Sequence, residues 1–147
     1  MTKRVLVTGA SRGIGRAIAL VLAKAGFEVV LNYKSNRAKA EATLSQIKAG
    51  NGVAGLLPFD VSDREATVAA IEQEVAASGV FYGVVSNAGI AADAPFPALT
   101  GDSWDSVIHT NLDSFYNVLH PVVMSMILEK KGGRIVTLSS LSGLAGN

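Results

Sequence analysis

Two spacings of apolar residues alternate along this chain, and the alternation constrains its fold more than any other feature. Short apolar runs, such as VLV at 5–7 and FEVVLN at 27–32, have the length and composition of buried strands. Between them, apolar residues recur every three or four positions, the spacing of a helix face: Ile14, Ala17, Ile18, Val21, Leu22 and Ala25. Strands that alternate with helices form a parallel sheet covered on both faces, because right-handed crossovers place the helices there. We therefore predict an α/β fold with a doubly wound parallel sheet.

The pattern continues to a fifth apolar run. Strands are predicted at GVAGLLPF (52–59), YGVVSNAG (82–89) and RIVTLSS (134–140), with helices before each. The helix before the last strand spans Trp104 to Met126, and Pro121 within it removes one backbone hydrogen bond and should bend the axis. The last run is predicted to be a buried strand that brings serine hydroxyls to a site.

Composition limits the domain count and the classes of partner. The chain has 147 residues and is 49% hydrophobic, which predicts one globular domain over residues 1–147. Thirteen basic and twelve acidic side chains leave a charge of +1 without a basic block, so we expect small-molecule or protein partners rather than nucleic acid or membrane. Without cysteine there is no thiolate metal site, and we predict no metal and a cytoplasmic location.

The segment TGASRGIG, residues 8–15, lies at the first strand-to-helix turn. Gly9, Gly13 and Gly15 would let a phosphate approach the backbone, and the helix N terminus offers N–H donors and a favourable dipole. The alternative is a tight turn that needs glycine only for its dihedral angles. The spacing matches neither GxGxxG nor a P-loop, which disfavours a nucleoside triphosphatase.

Four motifs together resemble those of the short-chain dehydrogenase/reductases. They are TGASRGIG after the first strand, NAG at 87–89 after the fourth, Asn111 within HTNL, and RIVTLSS. Within that family the chain is most similar to the 3-oxoacyl-acyl-carrier-protein reductases, over its whole length. The resemblance implies a Rossmann-type fold that binds a nicotinamide dinucleotide at the carboxyl ends of the strands.

The resemblance also implies which residues bind the cofactor. The glycine loop contributes Gly9, Ser11, Arg12, Gly13 and Ile14, the third strand ends in Asp60 and Val61 beside the adenine, and Asn87, Ala88 and Gly89 line the ribose side. For the third strand a structural alternative remains open: Asp60 as a turn residue and Ser62 as the N-cap of the next helix.

The end of the second strand bears on the choice of dinucleotide. NAD enzymes usually have an acid there for the ribose 2′-hydroxyl, whereas this chain has Tyr33, Lys34 and Ser35. With Arg12, these residues can receive a 2′-phosphate through charge-assisted hydrogen bonds, so we predict NADP. Alternatively, Lys34 and Arg37 are solvated charges at a helix start.

For catalysis, the resemblance assigns Ser140 to the substrate carbonyl and Asn111 to a water in a proton relay. Ser139 directly precedes Ser140, Ser142 is the local alternative to Ser140, and Asn111 could instead cap a break in the helix. The family's proton donor and its lysine form a YxxxK motif beyond this serine. None of Tyr33, Tyr82 and Tyr116 has a lysine four residues later, and the sequence ends at residue 147 before any such motif.

These features predict the N-terminal part of an NADPH-dependent reductase of a 3-oxoacyl thioester, free or attached to an acyl carrier protein. The alternative is a non-catalytic dinucleotide-binding or assembly module. We expect a following segment or a second polypeptide to complete the fold. Without it, we expect an inactive chain in which apolar surface of the fifth strand and an open parallel edge are uncovered. Once the fold is complete, we expect a homo-oligomer. Lys130, Lys131 and Arg134 would meet an acidic carrier protein or simply be solvated at a helix end.

Overall fold

A computed structural model describes residues 2–145, and the predicted alternation of strands and helices is present in it. The strands are β1 (Arg4–Val7), β2 (Glu28–Tyr33), β3 (Ala54–Pro58), β4 (Gly83–Ser86) and β5 (Arg134–Thr137). The helices are α1 (Gly13–Lys24), α2 (Arg37–Ala49), α3 (Arg64–Ser78), α4 (Gly101–Ile108), α5 (Ser114–Glu129) and the single turn α6 (Ser142–Ala145). None of the described helices is long and apolar enough to cross a membrane.

The five strands form one parallel sheet in the order β3-β2-β1-β4-β5. The chain starts at the centre, builds outward to β3, and then returns to the other side of β1 as β4. The direction of winding therefore reverses between β1 and β4, and in such sheets the carboxyl ends of the strands open into a crevice at this point. This arrangement confirms the predicted doubly wound α/β fold.

Each face of the sheet has its own apolar core. On one face, the side chains of α1 and α2 pack on β1 and β2, around Ala19, Leu31 and Ile47. On the other face, α3 and α5 pack around Ile71 and Val118. Because both faces are covered, β1, β2 and β4 consist almost wholly of buried residues, which explains their continuous apolar sequences.

The long helical pattern predicted from Trp104 to Met126 is divided in the structure. A π-helical turn at His109–Asp113 separates α4 from α5, with Asn111 in its middle. Pro121 lies inside α5 as expected. A continuous period of apolar residues cannot reveal such a turn, because the helix continues in nearly the same direction with one wider ring.

The apolar sequence of β5 predicts a buried strand, but β5 is exposed in the described structure, as we expect where no further segment covers it. All four residues of β5 are exposed, and Ile135 and Val136, which point to opposite faces, retain 45% and 50% of their accessible surface. The reason is topological, since β5 pairs only with β4 and has no described strand beyond it. The apolar side chains on both faces of β5 are therefore left uncovered by the described elements.

Candidate functional site

A cleft of about 830 Å³ opens at the carboxyl ends of the strands, beside the point where the winding reverses. All thirteen residues predicted from the sequence to bind the cofactor line this cleft: Gly9, Ser11, Arg12, Gly13, Ile14, Tyr33, Lys34, Ser35, Asp60, Val61, Asn87, Ala88 and Gly89. They come from four segments that are far apart in the sequence. The fold thus brings the whole predicted set to one surface, although the lining alone does not identify a ligand.

The glycine loop has the geometry of a phosphate cradle. Gly13 has φ +54°, and a Cβ built on it would have no atom within 4 Å, so its outer side is open. No described side chain caps the N terminus of α1, which starts at Gly13. Free N–H donors and the positive end of the helix dipole therefore face the cleft, an arrangement that favours an anion.

Gly15 has a different purpose in the loop. A Cβ at this position would lie 2.4 Å from the carbonyl oxygen of Gly9 and 2.5 Å from Nδ2 of Asn87. Only glycine allows α1 to pack this closely on the ends of β1 and β4. Gly15 is therefore needed for close packing and not for its dihedral angles, whereas the positive φ angles that favour glycine are those of Gly9 and Gly13.

Thr8 joins the glycine loop to the end of β4. Its buried hydroxyl oxygen, Oγ1, accepts hydrogen bonds from the backbone N–H groups of Asn87 at 2.9 Å and Ala88 at 3.0 Å. In return, Nδ2 of Asn87 donates to the carbonyl oxygen of Thr8 at 2.8 Å. These hydrogen bonds therefore fix the start of the glycine loop relative to the end of β4.

Asn32 provides a second connection, on the other side of β1. Its Oδ1 accepts from the N–H of Gly9 at 3.2 Å, and its Nδ2 donates to the carbonyl oxygens of Leu57 at 3.3 Å and Phe59 at 2.9 Å. This buried side chain fixes the ends of β1, β2 and β3 together. The local sequence does not reveal the roles of Asn32 and Thr8, because their partners lie on or next to other strands.

Asp60 lies at the end of β3 and pairs with Lys34 across the cleft wall. The Lys34 Nζ lies 2.6 Å from Asp60 Oδ2, while Asp60 Oδ1 accepts from the N–H of Ser62 at 3.0 Å and from its hydroxyl at 2.7 Å. Partial burial alone would raise the pKa of Asp60, but the hydrogen bonds from Lys34 and Ser62 outweigh it and lower that pKa. Asp60 is therefore a carboxylate at neutral pH.

The structure also corrects the capping alternative for this loop. Asp60 does form a turn with Ser62, but Ser62 is not the N-cap of α3. That cap is Asp63, whose Oδ1 accepts from the N–H of Ala66 at 3.0 Å.

The three predicted cations differ in their surroundings. Arg12 is exposed at the cleft, and within residues 2–145 no side-chain hydrogen bond or ion pair engages its guanidinium. Lys34 lines the cleft but is paired with Asp60. Arg37 is absent from the lining and pairs with Glu41 at 2.7 Å, as a solvated charge near a helix start.

The two predicted catalytic residues lie outside the lining of the cleft. Asn111 uses both ends of its carboxamide on one residue: Oδ1 accepts from the N–H of Ile90 and Nδ2 donates to its carbonyl oxygen, both at 2.9 Å. Ser140 is exposed just after β5, and its Oγ accepts from the N–H of Ser142 at 3.3 Å. Their proposed roles thus remain predictions. The Asn111 carboxamide has one N–H and one oxygen lone pair beyond the two hydrogen bonds with Ile90.

One segment of the cleft lining was missed entirely from the sequence. Ser106, His109 and Thr110 come from the end of α4 and the π-helical turn. Their spacing of three and four positions places them on one side of the helix, and this periodicity could have revealed them.

Comparisons with known proteins agree with this geometry. The sequence profile of the family described as short chain dehydrogenase matches residues 3–147. A 3-oxoacyl-acyl-carrier-protein reductase from Aggregatibacter actinomycetemcomitans is 50% identical over 147 residues, which are 100% of this chain and 61% of that protein. An acetoacetyl-CoA reductase from Shinella zoogloeoides is 42% identical over 146 residues, 99% of this chain and 58% of that protein.

A solved structure has a backbone similar to that of this chain. The gluconate 5-dehydrogenase from Burkholderia cenocepacia J2315, crystallised with NADP and tartrate, superimposes with a TM-score of 0.88 at 34% identity. The match covers 95% of this chain and 54% of that one, so the chain spans little more than half the length of these relatives. Since the family profile covers nearly every residue and the sheet order and glycine loop agree with it, this chain belongs to the short chain dehydrogenase family.

Proposed function

We propose that this chain is the dinucleotide-binding part of an NADPH-dependent reductase that converts a 3-oxoacyl thioester to the 3-hydroxy product. The observation that carries the proposal is the cleft, where the open Gly13 loop, the uncapped α1 N terminus and the ends of four strands meet. The relatives with 3-oxoacyl or acetoacetyl substrates in their names support the reaction class.

The residues of the cleft fit a nicotinamide dinucleotide. The pyrophosphate would lie against the backbone of Ser11 to Ile14, where the helix dipole and free N–H groups favour negative charge. The adenosine would lie near Asp60 and Val61, and the nicotinamide ribose near Asn87 to Gly89. A volume of about 830 Å³ has room for a ligand of this size.

Preference for NADPH rests on charge at the adenosine end. Arg12 is unpaired in the described structure, and Lys34 and Ser35 lie along the same wall. A guanidinium binds a phosphate through charge-assisted, often bidentate hydrogen bonds. The NADP in the related gluconate 5-dehydrogenase is consistent with this preference.

In the reaction, the bound nicotinamide would supply the hydride. This chain would contribute Ser140, whose hydroxyl donates a hydrogen bond to the substrate carbonyl as negative charge develops on its oxygen. Asn111 would hold a relay water, for which its carboxamide has one N–H and one oxygen lone pair beyond the two hydrogen bonds with Ile90. The proton donor and its lysine partner would come from polypeptide beyond residue 147, in the YxxxK motif that the resemblance implies.

Three exposed surfaces would contact partners of this part of the enzyme. The groove of about 440 Å³ between α5 and β5 is lined by apolar side chains, including Val123, Met126 and Ile135, and would be covered by the following segment. Exposed apolar residues of α4 and α5, such as Trp104, Phe115 and Met124, would pack against a second copy. The exposed Lys130, Lys131 and Arg134 would face an acidic carrier protein.

The second candidate is a non-catalytic dinucleotide-binding or assembly module. The absence of a YxxxK motif from these 147 residues favours it. The two candidates make the same prediction for nucleotide binding and opposite predictions for turnover.

The test follows NADPH absorbance with a model 3-oxoacyl thioester. Residues 1–147 alone should show no enzymatic turnover, because a missing general acid typically costs on the order of 10²–10⁴ in rate. Adding a separately made C-terminal segment that carries YxxxK should restore turnover. Calorimetry should show tighter binding of NADPH than of NADH. Turnover by the lone chain would refute the assignment of the chemistry to the following segment, and equal affinities would refute the NADP assignment.

A further inference from the structure

The adenosine end of the cleft contains a carboxylate that the second strand lacks. Asp60 comes from β3, yet it lies in the same wall as Lys34 and is the one carboxylate among the described lining residues. The described lining has two side chains that are always cationic, Arg12 and Lys34. One of the two is thus neutralised by Asp60, and the choice between dinucleotides does not depend on the β2 sequence alone.

Both oxygens of Asp60 are occupied, but by partners of different mobility. Oδ1 is fixed within the loop by the N–H and hydroxyl of Ser62. Oδ2 holds the ammonium of Lys34, whose side chain is 68% exposed, against 27% for Asp60. The carboxylate is therefore anchored, whereas Lys34 is free to leave for a stronger anion.

We propose that Asp60 limits the preference of the cleft for a 2′-phosphorylated dinucleotide by holding the Lys34 ammonium. A phosphate that enters the site meets Arg12 unpaired, but it must compete with an anchored carboxylate for Lys34. Arg12 therefore contributes most of the discrimination, and Lys34 contributes a part that Asp60 diminishes. This inference rests on the proposed dinucleotide function and names the residue that sets its specificity.

The test compares two small probes that differ only in the 2′-phosphate: adenosine 2′,5′-bisphosphate and 5′-AMP. Any contact to the adenine cancels in the ratio of their dissociation constants. The ratio would be measured by calorimetry, at constant ionic strength, on the chain together with any sequence that its gene encodes after residue 147. Asp60→Asn keeps an oxygen for Ser62 and removes the charge that holds Lys34.

We expect Asp60→Asn to raise the preference for the bisphosphate by roughly three- to tenfold, the range for one charge near a partly solvated site. In a Lys34→Gln background the same change should yield less than half of that gain. The matched control is Glu41→Gln, which removes the carboxylate of a similar exposed ion pair outside the cleft, and it should change the ratio by less than about twofold.

A second comparison does not depend on the folding of the Asp60 variant. Lys34→Gln alone should lower the ratio less than Arg12→Gln, because Lys34 is already paired. The inference is overturned if Asp60→Asn leaves the ratio unchanged, if its gain is equal without Lys34, or if Lys34→Gln costs as much as Arg12→Gln. In those cases the parent still binds both probes and the proposed function stands. If the parent binds neither probe, the dinucleotide assignment fails and this inference fails with it.

Discussion

Thr8 Oγ1 accepts the backbone N–H of Asn87 at 2.9 Å, so one hydroxyl connects the end of β1 to the end of β4. The side chain is 1% exposed, and the same oxygen also accepts the N–H of Ala88 at 3.0 Å. The relationship turns two neighbouring strand ends into a single wall of the cleft.

Replacing Thr8 by valine should therefore destabilise the fold and weaken nucleotide binding together. Valine keeps the shape but leaves two N–H groups without their acceptor, at a cost of about 1–3 kcal/mol. Thr8→Ser retains the oxygen and should lose less of both. Chemical denaturation and NADPH calorimetry on the three proteins would measure the two effects, and equal behaviour of valine and serine would show that the hydroxyl is unimportant.

Gly15→Ala should destabilise the protein because of a clash, whereas Gly101→Ala should not. The new methyl group at residue 15 would meet the Gly9 carbonyl and the Asn87 amide, while nothing lies within 4 Å of a Cβ at residue 101. Overpacking of this kind costs about 1–3 kcal/mol. Thermal unfolding of both variants provides the comparison; similar melting temperatures would mean that the loop moves away from α1 at little cost.

Ser140→Ala in the complete enzyme should slow reduction with little change in NADPH affinity. Loss of one donor to a developing oxyanion typically costs on the order of 10²–10³ in kcat. Ser140 lies outside the cleft lining, so binding should stay within about twofold. Steady-state kinetics of Ser140→Ala and Ser142→Ala would decide the register of this segment, since a larger loss at Ser142 would assign the role to that residue.

Asp60 should contribute stability at neutral pH that is lost in acid. Its pKa is lowered below the ordinary value of 3.8, so its charged form is favoured by the fold. For a lowered pKa the contribution is present above the unfolded-state value and disappears as pH falls through the folded-state value. Asp60→Asn should thus be less stable than the parent at neutral pH, by no more than about 1 kcal/mol after solvent screening, and the difference should vanish in strong acid. Urea denaturation across this range would measure it; a difference independent of pH would assign the loss to geometry instead of charge.

The sequence predicted which segments form strands better than it predicted which elements cover those strands. The alternating apolar periods identified all five strands, because burial on both sheet faces imposes continuous apolar runs on β1, β2 and β4. At β5 an equally apolar run forms an exposed edge, which was expected from the lack of a covering segment and not from the apolar pattern. The sequence of a strand shows whether its side chains favour burial. It does not show whether another strand or helix is present to cover them.

The candidate site was predicted as a set of residues, and its internal connections were not. Thirteen of the residues that line the cleft were named from the sequence, since each lies in or beside a local motif, whereas the lining residues from α4 and the π-helical turn were missed. The Lys34–Asp60 pair and the ties made by Thr8 and Asn32 cross between strands. Such contacts depend on sheet order and register, which no local spacing encodes.

The strand order also determines when the cleft can form during folding. β1 first pairs with β2, its neighbour in the chain, but its other side waits for β4, and the hydrogen bond from Asn87 to Thr8 joins residues 79 positions apart. The chain must close this long loop before the stabilising contacts between β1 and β4 can form, so non-local parallel pairing is slow. A refolding chain should thus acquire nucleotide affinity after most of its helical signal has returned. Added NADPH should then slow unfolding while leaving the rate of refolding almost unchanged.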